Sequence, residues 1–374
     1  MIKVAILGYG TVGSGVVEVL TTNAGIIAKR AGQEVGVKYV LDLRDFPGDP
    51  IQSKVVHDFQ IILDDPEVDI VVETMGGTKP AYEFVKKALL AGKSVCTSNK
   101  ELVAAYGAEL VHLAKSKSVN FLFEASVGGG IPVIRPLNQS LTADKIQKIN
   151  GILNGTTNYI LTKMAKEGSD FDVVLKEAQE LGYAEKDPTA DVEGYDACRK
   201  IAILTSLAYG KQVNYEEVYT EGITKITAED FKYAEKLEAA IKIFGSSRKE
   251  GGKLYAMVAP QMIRRDNPLF AVEGVFNAIC VTGNMLGDVM FYGKGAGKEA
   301  TASAVVSDVV DAVKHMNINV MTIWEDEKMI VEPMEEMENR FFVRIGKEEK
   351  EKVEKLFDEP EFVDAGLEGE IGFV

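Results

Sequence analysis

Cysteine is scarce in this sequence of 374 residues, which has only three: Cys96, Cys198 and Cys280. They form neither a C-x-x-C pair nor an even set, so no disulfide framework is expected. A reducing, cytoplasmic compartment fits such a composition. Cys96 lies near the end of a predicted strand but has no adjacent base, which argues against a nucleophilic role.

Long apolar runs and a surplus of positive charge are also lacking. No stretch of 18 apolar residues occurs, so no transmembrane helix is expected. The first residues, MIKVAILGYG, enter a strand directly, which argues against a signal peptide. The formal net charge of -15 argues against binding to nucleic acid or to an anionic membrane surface.

Histidine is equally scarce, with three residues: His57, His112 and His315. All three lie outside the motif-like segments, so we expect them to be structural. Proton transfer in any reaction would then fall to Asp, Glu, Lys or Tyr.

What is present is a chain long enough for two or three domains. Its first part alternates short apolar strands with helices, beginning with IKVAIL at Ile2–Leu7. This alternation predicts βαβ units and a Rossmann-type, doubly wound parallel sheet. We expect this dinucleotide-binding domain to span residues 1–126.

The pattern changes after Ser126. From Ala239 onward several strands follow one another without intervening helices, which predicts a mostly antiparallel sheet. We expect a second, α+β domain for substrate binding and dimerisation over residues 127–295. A helix within 296–325 is expected to return to the first domain, and residues 326–374 read as an incomplete small α/β module.

Gly8, Gly10 and Gly13 form G-x-G-x-x-G between a strand and a helix, the setting in which this pattern binds dinucleotides. Gly8 permits a tight turn, Gly10 lets the backbone approach a pyrophosphate, and Gly13 allows close packing of helix and strand. The alternative is a glycine-rich turn without a ligand. We expect Thr11 and Val12, inside the motif, to contact the coenzyme with the glycines.

Asp42 and Arg44 carry opposed signals for the choice of coenzyme. An acid at the end of the second strand can bind the ribose 2′-hydroxyl of NAD, whereas an arginine can pair with the 2′-phosphate of NADP. The residues alone leave NAD and NADP both open. We hypothesise that the two side chains pair in the free protein, with acceptance of both coenzymes and a modest bias to NADP.

The segment LGYAEKDPTADVEGYDACRK, which ends at Lys200, contains five acids. Pro188 predicts the start of a helix that continues through IAILTSLA, with Asp196 and Lys200 on one face and Glu193 on the same side. Glu185 falls in the preceding turn. A surface ion pair worth ~0.3–0.5 kcal/mol is the alternative, but the helix is apolar nearly all round and should be buried. Lys200 is therefore expected at the base of a cleft.

Lys100 is a second candidate lysine. It follows a predicted strand end in CTSNKELV, where a parallel sheet opens onto its ligand crevice. A lysine at a helix start is disfavoured by the helix dipole, and this unfavourable placement suggests a function.

With these motifs the chain resembles homoserine dehydrogenases over roughly Met1 to His315. The resemblance is carried by GYGTVGSG, ETMGG, TSNKE, EASVGGGIP, GILNGTTNYI, LGYAEKDPTADVEGYDACRK and YGKGAG. It implies NAD(P)-dependent interconversion of L-homoserine and L-aspartate 4-semialdehyde in threonine, methionine and isoleucine biosynthesis. It also implies a homodimer or homotetramer.

The resemblance also implies roles for individual residues. Lys200 would be the proton donor and acceptor, with Lys100 nearby, and Glu185 and Asp196 would bind the substrate. A sodium ion would be held by Glu124 and by the carbonyls of Val127, Gly129 and Ile131. The coenzyme would lie against Thr74, Gly76, Lys100, Gly182, Gly295 and Gly297.

The tail departs from the family pattern. Larger members carry a regulatory ACT domain, and only about the first half of one is recognisable after Met337, so feedback control by threonine is not expected. Two other classes are weighed: a different two-domain Rossmann oxidoreductase acting on a small amino or hydroxy acid, and a non-catalytic NAD(P)-sensing protein. A sensor would have no reason to retain two lysines and paired acids facing the crevice.

Overall fold

A six-stranded parallel sheet forms the first third of the chain, in a computed structural model that describes residues 1–374. Its order is β3-β2-β1-β4-β5-β6, which is the doubly wound order of dinucleotide-binding folds. The predicted Rossmann-type sheet is confirmed. The strands are β1 (Ile2–Leu7), β2 (Val35–Leu41), β3 (Val55–Val56), β4 (Ile70–Glu73), β5 (Ser94–Thr97) and β6 (Phe121–Leu122).

Five helices connect these strands: α1 (Thr11–Thr22), α2 (Ala24–Ala31), α3 (Phe59–Asp64), α4 (Ala81–Leu90) and α5 (Lys100–Ser116). The sequence has a helical pattern throughout the segment that forms α1 and α2. The structure breaks it at Asn23, whose N–H bonds back to the carbonyl of Val19 before the chain turns. No single helix is long and apolar enough to cross a membrane; α1 and α2 reach that length only together, bent by 82°.

The second large sheet has the order β13-β12-β7-β10-β11-β9 and is antiparallel except for the pair β11–β9. This confirms the predicted, mostly antiparallel sheet. The turn between β10 and β11 consists of Gly251 and Gly252, both with positive φ, as a two-residue hairpin of this kind requires. The strands are β7 (Ile146–Ile152), β8 (Lys211–Gln212, outside this sheet), β9 (Tyr219–Thr220), β10 (Ala239–Glu250), β11 (Lys253–Arg264), β12 (Phe276–Gly283) and β13 (Gly287–Lys294).

Three helices pack on this sheet: α6 (Gly155–Glu167), α9 (Tyr195–Tyr209) and α10 (Ala228–Lys236). Two others, α7 (Phe171–Glu180) and α8 (Thr189–Val192), pack against α6 and α9. The predicted helix from Pro188 through the apolar run is wrong at one point. Gly194 adopts φ +83° and separates α8 from α9, so Glu193 does not share the helix of Asp196. Helix α9 is buried along its length against β7, β10 and β11, as its apolar composition predicted.

Helix α11 (Lys298–Lys314) packs along α1 and reaches β4 and β5 of the first sheet. The approach is close, because a Cβ on Gly15 of α1 would lie 3.0 Å from the Ala302 methyl group. The helix that leaves the second sheet is therefore part of the layer that supports the coenzyme-binding strands.

The chain ends in a three-stranded antiparallel sheet of order β15-β17-β16. Its elements are β15 (Val343–Gly346), α12 (Lys350–Leu356), β16 (Phe362–Val363) and β17 (Glu370–Phe373), after a short β14 (Glu325–Lys328) that pairs with β8. The small sheet agrees with the predicted strand–helix–strand module, which it extends by one strand.

The segment between the two large sheets differs from its prediction. The segment NFLFEAS has the apolar pattern of a strand, but β6 ends at Leu122 and the chain turns into a short 3-10 helix at Glu124–Ser126. This turn lets the Glu124 carboxylate accept three backbone N–H groups, from Val133, Ile134 and Arg135. The segment IPVIRPL forms only a short helical turn, which continues as a π-helix at Pro136–Ser140.

Trp324 tests how tightly the segment after α11 packs on the first sheet. Its indole is 1 % exposed, and a Cβ on Gly107 of α5 would lie 2.4 Å from Cη2 of the ring. We expect Gly107→Ala to lower the free energy of unfolding by ~1–3 kcal/mol, the usual cost of overpacking. Urea denaturation of the variant measures it.

Gly25→Ala in α2 is the matched control, because nothing lies within 4 Å of its Cβ position. There the substitution should stabilise by up to ~1 kcal/mol, since alanine is the better helix former. Equal effects at the two glycines would contradict this account of the Trp324 contact.

Candidate active site

The glycine-rich turn lies at the carboxyl end of β1, where the strand order reverses between β1 and β4. Gly8 adopts φ +93°, and a Cβ on Gly13 would lie only 1.9 Å from the Gly8 carbonyl oxygen. Helix α1 therefore lies so close to the turn that only glycine fits at position 13. This is the geometry expected of the motif.

The N-terminus of α1 is open. Gly10 precedes the helix, no side chain caps it, and nothing lies within 4 Å of the Gly10 Cβ position. Thr11 is exposed and Val12 half-buried at the same point. Free N–H groups beside empty space suit a dinucleotide pyrophosphate.

Thr74 fixes the neighbouring loop. Its hydroxyl lies within 3.1 Å of the Leu7 carbonyl and 3.0 Å of the Gly8 carbonyl, so it ties the end of β4 to the glycine turn. Gly76 follows with φ +77°. Both residues therefore lie beside the expected coenzyme cleft.

Asp42 and Arg44 pair as the sequence hypothesis proposed. Arg44 Nε and Nη2 each lie 3.0 Å from a different carboxylate oxygen of Asp42, and Tyr9 N–H donates to the same carboxylate at 2.8 Å. The hydrogen bonds from Arg44 hold the pKa of Asp42 well below its usual range. Arg44 remains 62 % exposed and so accessible to a ligand.

The centre of the site is the carboxylate of Asp196, in the first turn of α9. Its Oδ1 lies 2.9 Å from Lys100 Nζ, and its Oδ2 lies 2.7 Å from Lys200 Nζ. The Lys200 ammonium also donates to the Leu153 carbonyl at 2.8 Å. The alternative of a solvated surface pair is wrong, because the Asp196 and Lys200 side chains are only 5 % and 11 % exposed.

The charges in this cluster depend on one another. Burial alone would raise the pKa of Asp196, but the charges of Lys200 and Lys100 outweigh it and hold that pKa well below its usual range. In return, the Asp196 charge raises the pKa of Lys100 despite burial. Removing one member would leave an uncompensated buried charge, which typically costs ~3–5 kcal/mol.

Asn154 and Asp191 belong to the same cluster and were missed as site residues. Asn154 Nδ2 donates to Asp191 at 2.7 Å and to Asp196 at 2.9 Å, while its Oδ1 caps α6. Burial, followed by the charge of Asp196, raises the pKa of Asp191. The asparagine of ILNGTTN before a helical run is an N-cap signal that sequence reasoning could have used.

The other acids of the segment do not join the cluster. Glu185 is exposed with no side-chain partner, Glu193 is half-buried, and Asp187 accepts hydrogen bonds from the N–H and the hydroxyl of Thr189. Gly182, with φ +75°, lies on the same exposed loop. This loop is attached to α6 and α7 through hydrogen bonds from Thr156 and Gln179 to its backbone and through the Tyr183 ring, which packs against Tyr159.

The loop from Val127 to Ile131 packs against the glycines near α11. A Cβ on Gly129 would lie 2.2 Å from the Gly295 carbonyl oxygen, and the Gly130 N–H donates to the Lys294 carbonyl. Gly297, with φ +117°, begins α11. No cluster of three or more His, Cys, Asp or Glu side chains forms a metal site anywhere in the chain.

Neither cysteine nor histidine enters the cluster. All three cysteines are buried, and burial raises the pKa of the Cys96 thiol well above its usual value. His57, His112 and His315 each contact a carbonyl or carboxylate away from the two lysines. Lysine and carboxylate groups alone supply the titratable chemistry of the site.

Comparison with known proteins adds to this geometry. The family profile described as "Homoserine dehydrogenase, NAD binding domain" matches residues 8–124, and the profile "Homoserine dehydrogenase" matches residues 132–310. Homoserine dehydrogenase from Bacillus subtilis is 44% identical over 326 residues, which cover 85% of this chain and 74% of the relative. That from Pseudomonas aeruginosa is 45% identical over 316 residues, covering 84% and 73%.

Solved structures agree with the fold. A homoserine dehydrogenase from Thiobacillus denitrificans superposes with a TM-score of 0.90 at 38% identity, covering 100% of this chain and 90% of that one. A hyperthermophilic archaeal homoserine dehydrogenase in complex with NADPH gives a TM-score of 0.71 at 31% identity, covering 83% and 97%.

The doubly wound sheet and these matches define an NAD(P)-dependent oxidoreductase. A different two-domain Rossmann oxidoreductase and a non-catalytic NAD(P)-sensing protein are not favoured. The chain belongs to the homoserine dehydrogenase family. Its substrates are accordingly L-homoserine and L-aspartate 4-semialdehyde.

The Asp42–Arg44 pair yields a prediction on coenzyme choice. We expect Arg44→Ala to weaken NADP binding more than about tenfold, because it removes a bidentate phosphate partner and leaves Asp42 to repel the phosphate. NAD binding should change little. Titration of the variant with both dinucleotides measures the difference.

Arg30→Ala is the control, since Arg30 is an exposed arginine at the end of α2. If Arg44→Ala weakens both coenzymes equally, or neither, Arg44 does not read the 2′ position. A preference for NAD, set by Asp42, would then replace our expectation.

Proposed function

We propose that Lys200 is the proton donor and acceptor of the homoserine dehydrogenase reaction, and that Asp196 orients it. The proposal is supported by the carboxylate of Asp196, which contacts Lys100 through one oxygen and Lys200 through the other. An ammonium group has three hydrogens. Two of those on Lys200 go to Asp196 and Leu153, which leaves one to point at a substrate oxygen.

The coenzyme supplies or accepts the hydride when it is bound. In homoserine oxidation, neutral Lys200 would take the hydroxyl proton as the C4 hydride leaves. In semialdehyde reduction, its ammonium would donate a proton to the oxygen that becomes the alcohol. A positioned acid–base group of this kind contributes ~10²–10⁴-fold to the rate.

Lys100 has a different role in this proposal. Its side chain is 36 % exposed and bonds to Asp196 alone, and the Asp196 charge raises its pKa. A lysine that keeps its charge stabilises the negative charge that develops on the substrate oxygen. Its position at the start of α5, close to the ends of β4 and β5, also suits contact with the coenzyme.

The substrate ammonium needs an acid with unused charge. Asp196 was predicted to bind the substrate, but its oxygens are occupied by Lys100, Lys200 and Asn154. We therefore assign it an orienting role. Asp191 forms no ion pair with either lysine, and Glu185 has no side-chain partner. These two acids are the ones we propose for the substrate amino group.

Lys200→Ala tests the catalytic assignment. We expect turnover to fall at least ~10²-fold while dinucleotide binding stays within a few-fold. Coenzyme absorbance measures the first quantity and calorimetric titration the second.

Lys93→Met is the matched control. Lys93 is also buried, but it donates only to the Asp65 and Val68 carbonyls on the first sheet. Its loss should reduce stability and leave kcat near normal. If Lys200→Ala kept a near-normal kcat, Lys200 would not be the proton donor and acceptor.

Glu185→Gln tests the substrate site. Loss of one charge-assisted hydrogen bond, ~1.5–3 kcal/mol, should raise KM for homoserine and change kcat little. Glu180→Gln, at the exposed end of α7, is the control. An unchanged KM in the Glu185 variant would mean that Glu185 is an ordinary surface residue and does not bind the substrate.

We also propose that the loop Val127–Ile131 holds a sodium ion, which would supply fixed positive charge there. The carbonyls of Val127, Gly129 and Ile131 belong to buried residues and accept no hydrogen bond. Carbonyl oxygens suit a hard cation. Three backbone N–H groups already bond to the Glu124 carboxylate, so it retains one lone pair, on Oε2, for the ion.

The assembly we propose is a homodimer or homotetramer, in a cytoplasmic enzyme of threonine, methionine and isoleucine biosynthesis. The support is the outward face of the second sheet near β13. Met290 and Tyr292 are 41% and 53% exposed there, and no helix of the chain covers them. A second copy would bury this apolar surface.

A further inference from the structure

Asn277 is a buried polar residue that the mechanism above does not use. It stands near the start of β12 opposite Gly293, and it is only 1% exposed. Its Oδ1 is enclosed and has no hydrogen-bond partner, and its Nδ2 also forms no hydrogen bond. The large majority of buried side-chain polar atoms in proteins are paired, so this group needs an explanation.

Asn158 shows what a paired asparagine looks like nearby. It is equally buried, at 1%, but its Nδ2 donates to the Phe276 and Val272 carbonyls and its Oδ1 accepts from Lys242. The surrounding region can therefore satisfy an asparagine. The unpaired state of Asn277 belongs to its particular position.

That position is the junction of two parts of the site. A Cβ on Gly295 would lie 1.9 Å from Asn277 Nδ2, and a Cβ on Gly155 would lie 3.5 Å from Oδ1. Gly155 begins α6 directly after Asn154, which bonds to Asp196. Asn277 thus lies between the loop that precedes α11 and the helix start that supports the lysine cluster.

We propose that Asn277 binds the carboxamide of the coenzyme's nicotinamide ring and so fixes the ring's orientation. The proposal rests on the function proposed above, since the ring must lie beside Lys200 for hydride and proton to move together. The terminal torsion of asparagine is broad and roughly twofold. Rotation about it can therefore present either end of the side chain to the ring.

The chemistry selects this ligand among those that the reaction brings to the site. An unpaired oxygen needs a donor, and an unpaired amide nitrogen needs an acceptor. The substrate carboxylate offers acceptors only, and the substrate ammonium offers donors only. A hydroxyl, on the substrate or on the coenzyme ribose, offers a donor and an acceptor at one oxygen atom. The nicotinamide carboxamide offers them at two separate atoms, as asparagine does, so the two amides can satisfy each other.

The test is a double-mutant cycle in which the Asn277 side chain and the NH₂ group of the ligand carboxamide are changed separately and together. Asn277→Leu removes the carboxamide while keeping a similar volume, and the 3-acetylpyridine analogue of NADPH replaces the ligand NH₂ by methyl. Dissociation constants of NADPH and the analogue are measured by calorimetry for wild type and variant, without substrate. We expect wild type to favour NADPH about tenfold, the size of one hydrogen bond, and the variant to show no preference.

Thermal melting separates ligand binding from folding. Asn277→Leu removes an unpaired buried group and should melt no lower than wild type, whereas Asn158→Leu breaks three contacts and should melt several degrees lower. Asn277→Asp, with nearly the same shape, is the second variant if leucine does not fold. It keeps an acceptor for the ligand NH₂ but loses the donor to the ligand carbonyl, so it should weaken NADPH and the analogue alike and keep the preference for NADPH.

The same tenfold preference in wild type and Asn277→Leu would overturn the proposal, and so would no preference in wild type. A large loss of melting temperature in Asn277→Leu with the preference intact would make Asn277 a packing residue. None of these results depends on Lys200, because no turnover is measured. An error in the catalytic assignment would therefore appear separately, as activity in Lys200→Ala.

Discussion

The carboxylate of Asp196 is the interaction on which the arrangement of this molecule depends. It is buried, and a buried carboxylate is stable only when paired, so the two lysines must reach it for the folded chain to keep it charged. Lys100 comes from the helix after β5 of the parallel sheet, and Lys200 comes from α9, which packs on the antiparallel sheet. One side chain thus joins the part of the chain that carries the parallel sheet to the part that carries the antiparallel sheet.

Much of this could be read from the sequence, because the relevant signals are local. The glycines between a strand and a helix, the alternation of strands and helices, and the apolar run after Lys200 each depend on neighbouring residues. The pairing of Asp42 with Arg44 could also be predicted, because the two residues are only two positions apart on an extended strand end. The break at Gly194 was missed because the flanking segments both have helical patterns, and only the positive φ at this glycine separates them.

Other features could not be read because they depend on residues far apart in the chain. The contact of Asn154 with Asp196 joins the start of α6 to the start of α9, and the two lysines that share Asp196 are a hundred positions apart. The acidic segment suggested that all its carboxylates act together. Folding instead buries Asp196 against the two lysines, leaves Asp191 half-buried beside Asn154 and leaves Glu185 in solvent, a division that composition cannot express.

The origin of Lys100 has a consequence for how this enzyme can be altered. In many two-domain oxidoreductases the nucleotide-binding half is treated as an exchangeable module that delivers a coenzyme and nothing else. Here the part that carries the first sheet also supplies Lys100 to the buried carboxylate of Asp196. A chimaera that receives its first sheet from another oxidoreductase would inherit a coenzyme site and lose one of the two cations, so its Asp196 would face a single lysine.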